Sequence, residues 1–195
     1  ISCNWLGYKN VSKPISIVIQ PLACKDTILI LSLKNEIETY YHFNVTILPN
    51  KPLPSEAYYK PRKRYKADIL ISWLKANKPA DADYIIGITE SDISTKKESI
   101  PDFGIMGLGY RPGVSCVVST FRIKTKNKAL FKERLAKIAL HEIGHNLGLQ
   151  HCNTKTCFMH AAEASIKQID SEQLDLCMNC KKKINLKDKN KKTGV

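Results

Sequence analysis

Apolar residues along the chain fall in short clusters whose spacing changes between the strand and the helix period. Residues 15–20 form a β-branched run and predict a strand. Asp26 then stands where an N-cap belongs, ahead of Ile30, Leu33, Ile37 and Tyr40 or Tyr41 at helical spacing. Residues 44–48 predict a second strand, and residues 49–61 hold four of the nine prolines, which predicts an ordered but irregular loop. The basic patch at 60–66 is expected to be a solvated face. Residues 67–77 predict a helix burying Ile69, Leu70, Trp73 and Leu74, and residues 84–89 a third strand. Residues 105–110 and 114–120 flank Arg111-Pro112-Gly113, a turn signal, and predict paired strands. The longest periodic segment, 127–147, predicts a helix. The sum is an α+β fold, a layer of about five strands against two or three long helices. After Gly148 the pattern breaks into short, cysteine-bearing pieces too poor in apolar residues to fold alone, so a metal is the expected organiser.

Composition narrows the class. A chain of 195 residues with 43% hydrophobic and 25% charged residues is an ordinary globular domain. No apolar run approaches the roughly 18 residues that cross a bilayer. The net charge is +13, and residues 181–195 alone carry seven Lys against one Asp. That stretch is expected to be a flexible basic tail behind one catalytic-type domain at 1–180. Within that domain an upper region, residues 1–148, is expected to sit over a lower, metal-bound region, residues 149–180. Charge excess without a reading element does not predict specific nucleic-acid binding. A monomer is expected.

Chemistry concentrates in one stretch. His141-Glu142-Ile143-Gly144-His145 places two imidazoles four residues apart on one helical face, where both can meet a single ion. Glu142 projects at a neighbouring angle and can reach a ligand of that ion without binding it. Gly148 can adopt positive φ, end the helix in a sharp turn and bring His151 round as third ligand. Three neutral imidazoles leave a fourth zinc position open for water. Downstream, Cys152-x4-Cys157 and Cys177-x2-Cys180, nineteen residues apart, are two hooks suited to a tetrahedral four-thiolate zinc site, the competing reading being two disulfides. Since His151 and Cys152 are adjacent, neighbouring residues would serve two different ions. Cys116, inside an apolar run, reads as a core residue.

The extended string, His141-x3-His145-x2-Gly148-x2-His151-Cys152, then Cys157, Met159, Cys177 and Cys180, resembles the archaemetzincin family of zinc metallopeptidases within the metzincin clan. The resemblance covers residues 141–180 without a gap. It implies a zincin-like metzincin fold, with a twisted mixed sheet on long helices and a small zinc-stabilised C-terminal subdomain. It further implies two zinc ions, a catalytic one on His141, His145 and His151 and a structural one on Cys152, Cys157, Cys177 and Cys180. Glu142 would be the general base activating a zinc-bound water, and Met159 would form a Met-turn beneath the site without ligating. The peptide would lie along an edge strand, for which Gly107, Leu108 and Gly109 are the candidates, with Gly104, Gly107 and Gly109 either admitting the substrate backbone or marking a bulge.

The expected function is therefore peptide-bond hydrolysis on short peptides, aminopeptidase-like or of narrow specificity. The alternatives are a catalytically silent zinc protein that binds peptides and, behind it, a zinc-containing nucleic-acid module. The opening Ile1-Ser2-Cys3 matches the end of a bacterial lipoprotein processing site. Cys3 is accordingly the candidate for a lipid anchor and export the expected compartment, with the cytoplasm as the alternative. A Cys3–Cys24 disulfide or an arbitrary sequence boundary are the competing accounts of that opening.

Overall fold

The computed structural model describes residues 14–160 and 165–186. Expectations placed on Cys3 and on residues 187–195 lie outside these. The chain begins with β1 (Ser16–Leu22), α1 (Thr27–Tyr41) and β2 (Asn44–Ile47). It continues through β3 (Tyr58–Tyr59), β4 (Arg64–Lys66), α2 (Ala67–Ala76) and β5 (Tyr84–Thr89). Then come β6 (Ile93–Lys97), β7 (Ile100–Ile105), β8 (Gly107–Gly109) and β9 (Ser115–Ser119). Three helices follow: α3 (Lys128–Asn146), α4 (Ile166–Ser171) and α5 (Met178–Lys183). No described helix is long and apolar enough to cross a membrane.

The main sheet has the order β2-β1-β5-β9-β8. Its first four strands are parallel, and β8 closes the edge antiparallel to β9, with Gly107 opposite Val118 and Gly109 opposite Cys116. Helices cover both faces, so the central strands are apolar at nearly every position rather than at alternate ones. Ile17, Ile19, Ile86, Cys116 and Val118 face α1 and α3, while Val18, Ile85 and Val117 face α2. Asp26 caps α1 by accepting the Leu29 N–H at 2.9 Å, a contact of the kind worth about 1 kcal/mol. The buried side of α2 is Ala67, Leu70, Ile71 and Leu74, turned by one position from the expected face, so that Ile69 and Trp73 are half-buried.

Four expectations are corrected. A second sheet, β3-β4-β6-β7, occupies a stretch the hydrophobic pattern left blank. Its strands are held by charge rather than by apolar alternation. Asp102 accepts from Ser94 Oγ at 2.6 Å and Lys66 Nζ at 3.0 Å, and Arg122 grips Asp92 through two hydrogen bonds of 2.7 and 2.9 Å. The patch at 60–66 is thus only partly a solvated face, because Arg64 is buried between Asp92 and Asp102. The expected strand over 105–110 is likewise split, Ile105 ending β7 and β8 starting at Gly107. At the other end, α5 takes in Lys181–Lys183, so the expected start of the tail falls inside a helix.

Candidate metal centre and catalytic cleft

Asn127 starts α3 by accepting the N–H groups of Ala129 and Leu130, both at 3.1 Å. The helix then runs beneath β8 and β9 for nineteen residues. It ends in a paired closure: Gly148 N–H donates to the His145 carbonyl and Leu149 N–H to that of Gly144, each at 2.9 Å. Gly148 has φ of +95°, and a Cβ there would meet nothing within 4 Å. Backbone conformation, not space, is what requires glycine at this position. The reversal buries Leu149 and brings His151 to the other two histidines.

His141, His145 and His151 each offer one ring nitrogen within 4.8 Å of the others. The Nδ1 atoms of two rings are already engaged, His141 with the Phe158 carbonyl at 2.6 Å and His145 with the Leu149 carbonyl at 2.8 Å. A carbonyl only accepts, so Nδ1 carries the proton in both rings and Nε2 keeps its lone pair for the shared point. Burial pushes the His141 imidazole down to about 3, and proximity to His145 adds to the effect. Burial lowers His145 and His151 as well, with the Arg111 guanidinium contributing in both cases. Three unprotonated imidazoles with converging lone pairs are a donor set that fits zinc.

Glu142 is buried beside them, and burial pushes its carboxyl up to about 8 against the opposing hydrogen bond from the Gly109 backbone. Its seat is made by β8. A Cβ at Gly107 would lie 2.5 Å from Glu142 Oε1, and one at Gly109 would lie 2.7 Å from the Glu142 main-chain oxygen. These two glycines admit the glutamate to the sheet edge; of the two readings of the glycines, a bulge finds no support at Gly107 and Gly109, since β8 pairs with β9 in continuous register.

The four cysteines Cys152, Cys157, Cys177 and Cys180 form a second group of potential ligands, their sulfurs also within 4.8 Å of one another. None is in a disulfide, which removes that competing reading. Cys152 and Cys177 sulfurs are 3.6 Å apart, and backbone N–H groups of Thr154 and Cys177 donate to Cys152 and Cys157 sulfurs at 3.4 and 3.3 Å. Donors aimed at sulfur favour thiolate. Burial opposes ionisation of Cys177, but hydrogen bonds from the Cys180 backbone and neighbouring groups outweigh it and bring the thiol down to about 7. The set fits zinc in the manner of a closed structural site.

Between the two groups lies a tight turn. Cys152 N–H donates to the Met159 carbonyl and His160 N–H to the Cys157 carbonyl, both at 2.8 Å. Met159 is fully buried, and its sulfur lies 2.6 Å from where a Cβ would stand at Gly144. It packs on bare helix backbone. Gly144 escaped the sequence reading; a glycine inside a helix costs about 1 kcal/mol relative to alanine, and that cost was the available signal for a close contact.

All of this opens into a cleft of about 700 Å³ walled by β7, β8, α3 and the segment after the turn. β8 runs in the same sense as α3: Gly107 lies against Ile138, and further on the Asn146 side chain donates to the Tyr110 carbonyl at 3.0 Å. At the end near His145 and His151 the lining cation is Arg111. At the other end are Lys137, Ile169 and Glu172, a group that no periodicity or motif had singled out. His160 contacts Gln168 at 2.5 Å and takes no part in either ligand group, and His42 caps α1, in keeping with their reading as ordinary polar residues.

The model of peptidase family M54 matches residues 30–186. The archaemetzincin of Archaeoglobus fulgidus is 32% identical over 169 residues, 86% of this chain and 98% of that protein. The archaemetzincin of Natronomonas pharaonis is 29% identical over 157 residues, 76% and 87% respectively. The crystal structure of the A. fulgidus protein complexed with malonate superposes with a TM-score of 0.76 at 28% identity, covering 87% of this chain and all of that one. The Methanopyrus kandleri structure also reaches 0.76, at 23% identity over 88% of this chain and 94% of its own, and so speaks to the fold alone.

Proposed function

Because this chain belongs to peptidase family M54, the archaemetzincins, and is on that ground a zinc metallopeptidase, we propose that Glu142 is its general base and that peptides are cut while lying along the free edge of β8. One observation carries the reading. A buried carboxylate is seated between Gly107 and Gly109, beside three imidazoles that each turn a ring nitrogen to a shared point, Nε2 in His141 and His145. His141, His145 and His151 would hold one zinc, and the four cysteines a second, structural one. Zinc at the histidines would supply a Lewis acid, lowering the pKa of a water towards about 7 and polarising a carbonyl.

The chain's own residues do the rest. A Glu142 carboxylate oxygen takes a proton from the attacking water and returns it to the amine nitrogen that leaves. The β8 backbone offers main-chain hydrogen bonds to an added strand, which holds the scissile bond above Glu142 without asking for particular side chains. Phe103 and Ile105 of β7 line the cleft and add apolar surface for the substrate.

Of the two expected modes, the cleft favours narrow specificity over aminopeptidase action. A strand antiparallel to β8 starts at the Arg111 end, where a guanidinium repels a free N-terminal ammonium. The carboxylates among the described lining residues are Glu142 and, at the far end, Glu172. Zinc-loaded protein should therefore cut N-acetylated peptides at least as well as free ones. Glu142→Gln should retain zinc and lose about 10²–10⁴-fold in kcat. Full turnover by that variant, or binding without cleavage of any peptide by the wild type, would overturn the assignment.

A further inference from the structure

The far end of the cleft holds a carboxylate that neither the fold nor the reaction uses. The Glu172 side chain is 3% exposed, lines the cleft and, among the described residues, receives one long hydrogen bond, 3.3 Å from Gln168 Nε2. The nearest cationic group is the His160 ring at 3.9 Å, charged only when protonated. Lys137, across the same pocket, directs its ammonium elsewhere, to Glu133 at 2.7 Å and to the Ile169 carbonyl at 3.0 Å. Among the described residues the carboxylate therefore has one long hydrogen bond and no Lys or Arg within ion-pair distance. A buried carboxylate left without a full set of donors costs stability, and an incoming cation with several N–H groups would offset that cost.

Which end of a substrate arrives there follows from the orientation of the added strand, taken as antiparallel to β8 in the same way that β8 is antiparallel to β9. An added strand antiparallel to β8 passes from the Arg111 end towards Ile138, so residues on the leaving-amine side of the scissile bond enter between α3 and the segment around Ile169. Ile138, Phe158 and Ile169 line that pocket with apolar surface, which suits the methylene stem of a long side chain, and Glu172 stands where its polar head would end.

We propose that Glu172 is the specificity residue of this peptidase, selecting an arginine or lysine immediately after the scissile bond. The inference rests on the reading of β8 as the substrate edge and deepens it by naming the substrate class. Arginine is the better fit, since its planar fork can donate twice to one carboxylate while the stem lies on the apolar wall. The basic rim formed by Lys96, Lys97 and Arg111 does not compete for that pocket, because those residues flank β8's roof and its opposite end.

The test uses zinc-loaded full-length protein and a peptide series that varies only the residue after the cleaved bond. Arginine should exceed leucine there by about tenfold or more in kcat/KM, the advantage of a charge-assisted pair. In Glu172→Gln the arginine-to-leucine ratio should collapse, and in Glu172→Lys it should invert towards glutamate. A second arm reads binding alone: zinc-loaded Glu142→Gln protein is titrated with peptide hydroxamates bearing arginine or leucine at that position, with and without Glu172→Gln. The same tenfold gap, abolished by Glu172→Gln, is expected, and thermal unfolding checks that each variant is folded. If the wild type cuts nothing but the hydroxamates discriminate through Glu172, the catalytic reading fails and this one stands. If peptides are cut but the ratio is indifferent to Glu172, or if the hydroxamates bind equally in both backgrounds, this inference is overturned.

Discussion

Replacing Gly107 by alanine puts a single methyl group against the carboxylate proposed as the base, Glu142, and its consequences can be worked from the contacts. The new Cβ would lie 2.5 Å from Glu142 Oε1, 2.8 Å from Glu142 Cγ and 2.9 Å from Ile138 Cγ2. The first distance is about 0.9 Å inside the 3.4 Å at which ordinary contact begins. Glu142 has no room to yield on the same strand, because Gly109 already stands against its main chain. Either the strand moves off the helix, at the ~1–3 kcal/mol typical of overpacking, or the carboxylate swings out of its seat into the cleft. The second outcome leaves the three imidazoles in place. Gly107→Ala should then bind zinc stoichiometrically and lose about 10²–10⁴-fold in kcat, some 3–5 kcal/mol of barrier, matching removal of the base itself. The control is Gly87→Ala, whose Cβ would press on Leu74 Cδ1 at 2.7 Å on the α2 face of the sheet. That variant should lower the melting temperature without lowering kcat. The measurements are metal content, thermal unfolding and single-turnover cleavage of one peptide. Wild-type kcat in a folded, zinc-loaded Gly107→Ala protein would refute the claim that the β8 glycines exist to seat Glu142.

Three further outcomes follow from the same geometry. Gly148→Ala should cost about 1–2 kcal/mol with no packing clash, and Gly148→Asn less, since only φ is strained there; equal melting temperatures for glycine and alanine would contradict this. Cys177→Ser should reduce occupancy of the histidine site and activity as well as stability, which metal analysis before and after dialysis will read; unchanged catalytic zinc would remove the coupling. The Glu172 carboxyl is pushed up to about 7, chiefly by burial, with Gln168 and Lys137 opposing, so the folded state holds its proton more tightly than the unfolded chain. Its effect is therefore absent below about pH 4.5 and destabilising as pH rises through 7, by at most about 3 kcal/mol. Glu172→Gln should accordingly gain stability over wild type between pH 5 and 8, and a difference independent of pH would exclude this burial effect.

The regions of the molecule legible in the sequence are those where local chemistry and tertiary role coincide. Strand β5 was readable to the residue because both its faces are buried and its composition is β-branched. Asp26 was readable as a helix start because its side chain bonds the backbone within three residues; Asn127 caps α3 in the same way but was read only as the first residue of a periodic segment. The histidine triad was legible for the same reason: two ligands share a helical face and the third is set by one turn. The second sheet was not, because Asp92, Ser94, Asp102 and Arg122 hold it through partners that, for Lys66 and Arg64 against Asp102, lie more than 30 residues away, and hydropathy carries no trace of such pairing. Glu172 was invisible on the same ground. Its surroundings are polar in sequence, and only the fold turns its side chain into an apolar-walled pocket.

The cysteine cluster has its place in this logic through one carbonyl. Adjacency of His151 and Cys152 already ties the two ligand groups together at one point, but that is a link through a single peptide. The structure adds another. Phe158 lies between Cys157 and Met159, and its carbonyl is the atom that holds His141 Nδ1 at 2.6 Å. Its own N–H is bonded to the Asp175 carbonyl at 3.1 Å, two residues before Cys177. The backbone that fixes the first imidazole is therefore pinned on both sides by segments carrying the thiols, and the backbone that presents the third is tied to them on one side, through Cys152 and its bond to the Met159 carbonyl. His145 alone is oriented from within its own helix end, through Leu149. An ion on the cysteines would thus govern two of the three histidine ligands, so that loss of one thiolate acts on the catalytic centre by misaligning rings rather than by removing donors. The signature of that mechanism is weakened metal affinity at the histidine site with its ligand number unchanged.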